Sequence, residues 1–543
     1  EMAFQTSPGV NISEIDLTNV VPAVATTEGA IAGVFRWGPE DQRILVTSEQ
    51  DLANRFGKPA SYYTDAGLTT LWTNHETWFS AANFLSYSDA LYVTRITDAT
   101  AAAATGTNFS AKYKGKLGNS IQVSHCVGAN MGVTARSDTL TIEPYATTGI
   151  ISGLPANADP TYLAVGDRVV LSTGIELVVS AIATAVVDAG DNTKFQRTIT
   201  FDRRFNPADG AQYASTFSTQ WGDAALFDSA PSTTTRMHVV VRDVDGGITG
   251  TAGTILETFE DIDTSQGAIG ADGSTNFAPD VFFNRSDWIA CTAPQAVLQA
   301  SLTYGQATLS SGADGLDEVN VTVADVISGY SLYTDPADVD VSLIIQGKAK
   351  GSTLANHIIN NVCEVRKDCI AFISPELSDT TVANMTAFAG TLTASTFAVI
   401  DSGYKYQYDK YSDVYRWIPL NADIAGLCAR TDDVRDPWFS PAGYSRGNIK
   451  NVVKLQLNPA KAERDVLYKN KINPVITQPG QGTILFGDKT NAPTTSAFDR
   501  INVRRLFIVL EKAIGVAAKS TLFEFNDDFT RAQFKNLVEP FLR

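Results

Sequence analysis

The chain has 543 residues, 44% hydrophobic and 19% charged, with a formal net charge of −17 and a pI near 4.7. This balance is typical of a folded protein of three or four domains and argues against disorder. Broad binding to nucleic acid or anionic membranes is disfavoured, because it needs clustered Lys and Arg. With no apolar run of about 20 residues and no signal-peptide pattern in the first nine, we expect a soluble protein made in a cytoplasm, with no membrane insertion.

The first 27 residues predict an extended arm. Pro8 and Pro22 punctuate a segment that is rich in β-branched residues and has no helical periodicity. Apolar side chains alternate in short steps, as in a strand, at Val10, Ile12, Ile15 and Leu17. Because an unpaired strand edge is sticky, two interpretations stay open at this point. The arm is an edge strand of its own domain, or it adds a strand to a neighbouring subunit.

Residues 28–126 and 237–308 predict one discontinuous α/β domain. The predicted elements before the break are a buried strand from Gly29, a helix capped by Thr47 or Ser48 and ending at Phe56, a helix over 77–85 and a strand over 90–96. After the break, MHVVVRDVDGG predicts a strand and turn, and ILETFEDI (255–262) predicts a short amphipathic helix.

Between the two parts, residues 127–236 change in character. TLTIEP, RVVLS, ELVVSAIA and RTITFDRRF are short strand-like runs separated by clusters of Gly, Asn, Asp, Ser and Pro. Insertions are best tolerated at exposed loop tips. We therefore predict an inserted all-β domain here.

A stretch rich in Gly and Ser, LSSGADGLDE, predicts a flexible linker over 309–319 that leads into a C-terminal α/β domain over 320–543. There VSLIIQG, STLANHIINNVCEVRK and DCIAFISP predict a βαβ unit with parallel strands. A long helix from about Asp499 is predicted to carry an apolar stripe, with Arg500, Arg504 and Arg505 off it; the stripe residues are Ile501, Leu506, Leu510 and Ile514. The predicted fold class is therefore α+β and multidomain.

The one string that fits a catalytic motif lacks the neighbouring elements and residues that the motif requires. Gly443–Gly447 fits G-x-S-x-G around Ser445, but that motif needs a following helix and a later histidine. All four histidines precede it: His75, His125, His238 and His357. Their spacing also disfavours a catalytic zinc site.

Two further loops resemble ligand-binding motifs incompletely. Gly347–Ser352 lies between a strand and a helix but lacks the spacing of a phosphate loop. Asp243–Gly247 lacks the later ligands of a calcium loop, so a hairpin turn explains it better. We expect no catalytic residue, no cofactor and no metal, and therefore no enzyme.

The five cysteines are odd in number and scattered, which is not the pattern of a disulfide framework. They are Cys126, Cys291, Cys363, Cys369 and Cys428. The spacing of the one close pair, Cys363 and Cys369, fits no zinc knuckle. Buried free thiols in a reducing compartment are the expectation.

An unusual run of aromatic residues covers Tyr404–Trp417. Aromatic side chains at every second position on either side of an Asp409–Asp413 turn predict a hairpin with one aromatic face. We favour the interpretation in which this face packs on the domain's own core. The alternative is an exposed aromatic platform at an interface or ligand groove.

Several long strings closely resemble the tail sheath proteins of contractile-tailed bacteriophages. Near the start they are SPGVNISEIDL (7–17), GVFRWGP (33–39) and NFLSYSDALYVTRI (83–96); in the last domain they are residues 401–457, INPVITQPGQGTILFGDKT (472–490) and FDRINVRRLF (498–507). The inserted β region shows no such specific resemblance.

The resemblance implies a subunit that stacks as hexameric rings in a helical, contractile sleeve around a rigid tail tube. Its partners would be other copies of itself, the tail tube protein, the baseplate and the neck or tail terminator proteins, in a virion assembled in the bacterial cytoplasm. It also implies strand exchange by the N-terminal arm, with Val10, Ile12, Ile15 and Leu17 pairing between subunits. The C-terminal domain would face the tube, with Arg500, Arg504 and Arg505 as candidate tube or intersubunit contacts, and the inserted domain would face outward.

Family members usually continue with further strands and a C-terminal arm after the position of Arg543. We expect this chain to lack those strands and that arm.

Two alternative functions remain open from the sequence. One is the sheath of a related contractile device, such as a bacteriocin-like particle or a secretion machine. The other is a hydrolase or glycan-binding protein with an inserted β domain.

Overall fold

The computed structural model describes residues 26–60, 72–127, 131–154, 163–188, 190–291 and 304–542. The predicted arm, with Val10, Ile12, Ile15 and Leu17, lies outside the described residues apart from its last two positions. Its pairing therefore stays a prediction.

Strands alternate with α-helices before residue 97 and after residue 277, whereas the described residues between these positions form strands without an α-helix. In chain order they are β1 Gly29–Val34, β2 Arg43–Val46, β3 Leu91–Ile96, β4 Ala103–Thr105, β5 Phe109–Lys114, β6 Ile121–Val127, β7 Thr134–Ile142, β8 Thr148–Leu154, β9 Arg168–Leu171, β10 Glu176–Ile182, β11 Val186–Val187, β12 Phe195–Phe201, β13 Tyr213–Gln220, β14 Arg236–Asp243, β15 Thr254–Asp263, β16 Ile289–Cys291, β17 Tyr304–Thr308, β18 Leu343–Ile345, β19 Ile370–Ile373, β20 Ala398–Asp401, β21 Tyr404–Asp409, β22 Val414–Pro419, β23 Lys454–Leu455, β24 Ile472–Asn473, β25 Val475–Gln478 and β26 Gly482–Leu485.

The α-helices are concentrated in the C-terminal part. They are α1 Glu49–Phe56, α2 His75–Leu85, α3 Ala278–Arg285, α4 Val323–Ser331, α5 Gly351–His357, α6 Glu364–Arg366, α7 Val382–Thr391, α8 Asn421–Val434, α9 Lys461–Lys469, α10 Ile501–Ala518 and α11 Asp528–Leu542. A π-helical turn over Ile358–Cys363 joins α5 to α6. Among the described helices, none combines the length and the apolarity that crossing a bilayer demands.

A seven-stranded sheet forms the centre of the largest unit, in the order β2-β3-β1-β18-β19-β20-β24. Its neighbours pair in parallel except β2 with β3. Strands β1, β18, β19 and β20 are buried at every position, as expected when helices cover both faces of a parallel sheet. The predicted βαβ unit is confirmed, because β18 and β19 pair in parallel across the helix that begins at α5.

The predicted division between residues 28–126 and 320–543 differs from this arrangement. Strand β1 pairs with β18, so the first three strands lie in the same sheet as the C-terminal strands. A strand's sequence reports its own burial but does not name its partner, and this partner lies more than 300 residues away. The boundary therefore could not be found from local patterns.

A second unit is built from the strands that flank the insertion. Sheets β15-β14-β6-β17 and β16-β5-β4 share a separate apolar core with helix α3. The prediction of a helix over 255–262 is wrong, because this segment is part of strand β15. Two register shifts against β14 add extra residues to β15, and Asp261 adopts φ 53°. These bulges place Leu256, Phe259 and Ile262 three residues apart on one side, which imitates helical spacing.

The predicted all-β insertion is a closed barrel. Strands β7 to β13 pair antiparallel, and β10 pairs with β12 to close the ring. The barrel has its own apolar core, which includes Leu140, Ile151, Val169, Leu177 and Phe217.

Residues 309–319, predicted as a flexible linker, are instead packed against the two units they join. Ala313 and Ser310 form isolated β-bridges with Ala102 and Thr105, and Leu309 is only 1% exposed. The Gly and Ser content of this stretch reflects close backbone approach rather than mobility.

The barrel should be removable without unfolding the remainder, because its two ends meet. Thr134 and Thr219 are paired across β7 and β13, so a short Gly-Ser connection can replace residues 135–218. We expect the shortened chain to keep a cooperative thermal transition and its helical circular dichroism, and residues 131–222 to fold alone. Aggregation of the shortened chain would show that the barrel is needed for the fold of the other units.

Candidate functional site

Two of the three arginines singled out from the sequence, Arg504 and Arg505, lie in helix α10, and Arg500 is its N-cap residue. The apolar stripe predicted for this helix is wrong. The buried positions of the helix are Ile501, Arg504, Arg505, Ile508, Ala513 and Ala517. Leu506, Leu510 and Ile514 are only partly buried. Two arginines therefore lie on the buried face, which apolar periodicity cannot reveal because it depends on partners from other segments.

Arg505 fastens α10 onto α8. Its guanidinium pairs with the Asp432 carboxylate through both terminal nitrogens, Nη1 and Nη2, with 2.6 Å between Nη1 and Oδ1. Nη1 also donates to the carbonyl of Cys428 at 3.1 Å. Thr26 Oγ1 also donates to Asp432 at 2.6 Å. Both charged side chains are 4% exposed, so this is a buried pair with its remaining hydrogen bonds made.

Arg504 and Arg500 differ in their surroundings. The Arg504 guanidinium lies 4.4 Å from the ring centre of Phe397 and 5.0 Å from that of Phe498. Arg500 keeps 44% of its side chain exposed and pairs with Asp488 at 2.5 Å. Contact of all three with the tube or with other subunits stays a prediction, and Arg500 is the one whose charge reaches the surface of this subunit.

The aromatic hairpin forms as predicted, but its aromatic face is turned outward. Strands β21 and β22 pair in register, and Tyr408 and Tyr415 are 47% and 51% exposed. Tyr406 stacks on Tyr415 at 5.6 Å and lies 4.7 Å from Trp417. Tyr404, at the start of this face, is buried, whereas Tyr406 and Trp417 are partly exposed and Tyr408 and Tyr415 are exposed. The interpretation that this face packs on the domain's own core is therefore wrong for the rings nearer the turn, which form an exposed platform.

The opposite face of this hairpin buries its charged and polar side chains. Lys405 Nζ donates to Asp423 at 2.8 Å, and both side chains are fully buried. Arg416 pairs with Asp409 at 2.7 Å. The alternation of Lys405, Gln407 and Asp409 with tyrosines was visible in the sequence, but not which face would be buried, because ion pairs can replace apolar contacts.

A second buried cluster lies where helix α2, the 309–319 segment and the central sheet meet. Glu318 accepts hydrogen bonds from the backbone N–H groups of Glu76 and Thr77 at 3.0 and 2.9 Å, which caps α2. Lys348 pairs with Glu76, and His75 Nδ1 lies 3.7 Å from Glu318. Burial and the nearby Glu318 raise the pKa of Glu76.

Possible metal-ligand atoms of His75, Glu76 and Glu318 lie within 4.8 Å of one another. The Lys348 ammonium already pairs with Glu76, and backbone N–H groups donate to Glu318, so the cluster is explained as a hydrogen-bonded ion-pair network. The absence of a metal stays a prediction.

The carboxyl ends of parallel strands, where α/β proteins commonly bind ligands, are occupied here by the chain itself. Asn421, the first residue of α8, donates to the carbonyl of Gly347 at 2.9 Å and to Ser374 Oγ at 3.1 Å. Ser374 Oγ in turn donates to Asp401 at 2.6 Å. Burial raises the pKa of Asp401 to about 8, against the hydrogen bonds from Ser374 and Gly403 that lower it.

The remaining motifs lie in structural loops. Gly443 N–H donates to Leu485 O and Leu485 N–H to Gly447 O, at 3.0 and 2.8 Å, so the loop around Ser445 fastens onto β26. Asp243 accepts from the N–H groups of Ile248 and Thr249 within its turn. All five cysteines are free and buried, as predicted.

Removing Arg505 should destabilise the subunit far more than removing Arg500, the N-cap residue of the same helix. Arg505→Met leaves Asp432 buried without its cation, which costs about 3–5 kcal/mol, whereas Arg500→Met removes an exposed pair worth about 1 kcal/mol or less. Chemical denaturation of both variants measures the difference. The double variant Arg505→Met/Asp432→Leu should recover most of the loss, and equal loss in single and double variants would contradict the pair's role.

The buried carboxyl of Asp401 should make stability depend on pH. The folded chain keeps this proton up to about pH 8, whereas an unfolded aspartate loses it near pH 4. The stabilisation is therefore complete below about pH 4 and is lost as the pH rises towards 8. Asp401→Asn should raise the melting temperature relative to the native chain more at pH 8 than at pH 5, and the exposed control Asp465→Asn should show no such trend.

Comparison with known proteins gives one consistent result. A family model described as the phage tail sheath protein central domain matches residues 337–491. The tail sheath protein of Vibrio phage KVP40 is 32% identical, over 99% of this chain and 90% of its own length. That of Enterobacteria phage T4 is also 32% identical, over 99% of this chain and 89% of its own length.

A solved structure supports the fold. The sheath tail protein Lin1278 from Listeria innocua superposes with a TM-score of 0.51 at 10% identity, covering 96% of this chain and 84% of that one. Together with the near-full-length identity to two phage proteins, this confirms the family resemblance found in the sequence. The chain belongs to the tail sheath proteins of contractile-tailed bacteriophages.

Proposed function

We propose that this chain polymerises as stacked hexameric rings around a tail tube, and that the sleeve contracts to drive the tube through the host cell envelope for genome delivery. The observation that carries the proposal is the similarity to two phage tail sheath proteins over 99% of the chain. The baseplate and the neck or tail terminator proteins would contact the two ends of the sleeve. Assembly would take place in the host bacterial cytoplasm and yield a virion component.

The N-terminal arm would link subunits by strand exchange. Its alternating apolar residues Val10, Ile12, Ile15 and Leu17 suit an added strand. Such a link is made through backbone hydrogen bonds of a terminal segment, so it can persist while the folded bodies of two subunits change their contacts.

The C-terminal α/β unit would face the tube and the barrel would face outward. The barrel's ends meet at Thr134 and Thr219, so it projects from the second unit as an appendage. An appendage of this kind can be accommodated on the outside of a sleeve, where neighbouring copies leave room for it.

Contraction requires no catalytic residue. Two packings of one rigid subunit that differ in buried interface suffice, with the extended one held by a kinetic barrier. An additional ~200 Å² of apolar burial per subunit, at about 25 cal/mol/Å², contributes roughly 5 kcal/mol for each copy. The buried pairs Arg505–Asp432 and Lys405–Asp423 join different helices and strands, which favours movement of the subunit as one body.

Negative-stain microscopy of the purified chain tests the assembly directly. Long hollow cylinders are the expected result, alone or on added tail tubes. A monomer that never polymerises, and that instead hydrolyses or binds glycans, would overturn the proposal in favour of the enzymatic alternative.

Deleting residues 1–20 should separate folding from assembly. The shortened chain should keep the melting temperature of the complete chain, because the described core begins at β1, but it should form no sleeves. A matched control replaces the same residues with a Gly-Ser segment of equal length, which restores length without apolar alternation and should also fail. Normal cylinders from either variant would refute the arm's role.

A further inference from the structure

One surface of the C-terminal unit combines exposed rings with cations, and we call it the basic–aromatic patch. It comprises Phe439, Tyr444, Arg446, Arg464, Phe486 and Arg500. The three rings are 37%, 51% and 41% exposed, respectively. Monomers seldom leave clustered aromatic side chains uncovered, and interface cores are enriched in aromatic residues and arginine.

Two of the three arginines in the patch lie over its rings. Arg446 lies 5.6 Å from the ring centre of Phe439 and Arg464 5.2 Å from that of Phe486. Tyr444 meets Phe486 at 6.2 Å. The loop that carries Phe439, Tyr444 and Arg446 is fastened beside Phe486 by backbone hydrogen bonds to Leu485. Asp488 links the same loop to Arg500, because it accepts from Ser440 beside Phe439 and pairs with Arg500.

The patch carries excess positive charge. Asp488 neutralises Arg500, whereas Arg446 and Arg464 form no ion pair with an acidic side chain in the part of the chain that the structure describes. Its surroundings belong to a chain with net charge −17. The two guanidinium groups that lack an acidic side-chain partner favour an acidic partner.

A segment of opposite character joins α10 to α11. In Phe523–Phe529, the side chains of Phe523, Phe525 and Phe529 are about as exposed as they can be, at 104%, 85% and 76%. Between them lie three exposed acidic residues, Glu524, Asp527 and Asp528. We call this the acidic–aromatic segment; it matches the patch in ring content and is opposite to it in charge.

We propose that the basic–aromatic patch of one copy binds the acidic–aromatic segment of a second copy. The inference rests on the proposed self-assembly and identifies one contact within it. Two different surfaces meet, so the contact is heterologous and propagates into a ring or a helix rather than closing a dimer. It also offsets, at one site, the repulsion between copies that each carry −17, and thereby selects their orientation.

Charge exchange tests the contact. The variant Arg446→Glu/Arg464→Glu and the variant Glu524→Arg/Asp528→Arg should each raise the concentration needed for polymerisation at least tenfold in sedimentation assays. The fourfold variant that combines them should restore polymerisation, which a loss of folding in either parent cannot imitate. Arg285→Glu, an exposed arginine in the second unit, is the matched control and should have no effect.

Disulfide cross-linking measures the same contact without long polymers. Since the five native cysteines are buried, a chain with Ser445→Cys mixed with a chain with Asn526→Cys should give an oxidised species of twice the mass. Thr173→Cys on the barrel, in place of Ser445→Cys, should not. No heterodimer, or no rescue by charge exchange, would overturn the contact, whereas a cross-linked dimer from a chain that never forms sleeves would count against the proposed function alone.

Discussion

The parallel pairing of β1 with β18 holds the subunit together. It joins the first strands of the described chain to strands that begin more than 300 residues later, and every helix layer packed on the central sheet depends on it. The second unit is formed by the chain between β3 and β18, so it begins and ends on this sheet, and the barrel is inserted into the second unit between β6 and β14. The segment 309–319 contacts both the second unit and helix α2 beside the central sheet. The connection is therefore packed, where composition alone suggested a flexible linker.

Buried ion pairs connect several elements of this fold that in simpler domains would be held together by apolar side chains. Lys405–Asp423, Arg505–Asp432 and Glu76–Lys348 each connect different elements. Such pairs are costly to desolvate and give little net stability compared with apolar packing, yet a pair with one partner displaced is strongly unfavourable. A core tied in this way resists partial rearrangement, so stress applied to the subunit is passed to its interfaces.

The sequence was most informative where local chemistry decides the structure. The cap of α1 at Ser48, the βαβ unit around α5, the β character of the insertion and the hairpin at Tyr404–Trp417 all follow from residue patterns within short segments of the chain. The predictions failed where a partner from another element decides the structure. The bulges of β15 need the register of β14, the burial of Arg504 and Arg505 needs Asp432 and Phe397, and the direction of the hairpin needs Asp423 beneath Lys405.

The exposed rings of the hairpin and of the loops near β26 indicate that these surfaces make contacts outside a single copy. A hairpin that buries lysine and arginine while exposing tyrosines reverses the usual distribution, and the loops near β26 expose further rings beneath arginines. Neither arrangement is explained by the stability of a single copy, because each ring would contribute more if it were buried. Rings capped by cations would suit the exchange of intersubunit contacts that we propose for contraction. A ring covered by a cation is partly shielded from water while no partner is bound. Burying it again beneath a partner of opposite charge costs little desolvation free energy.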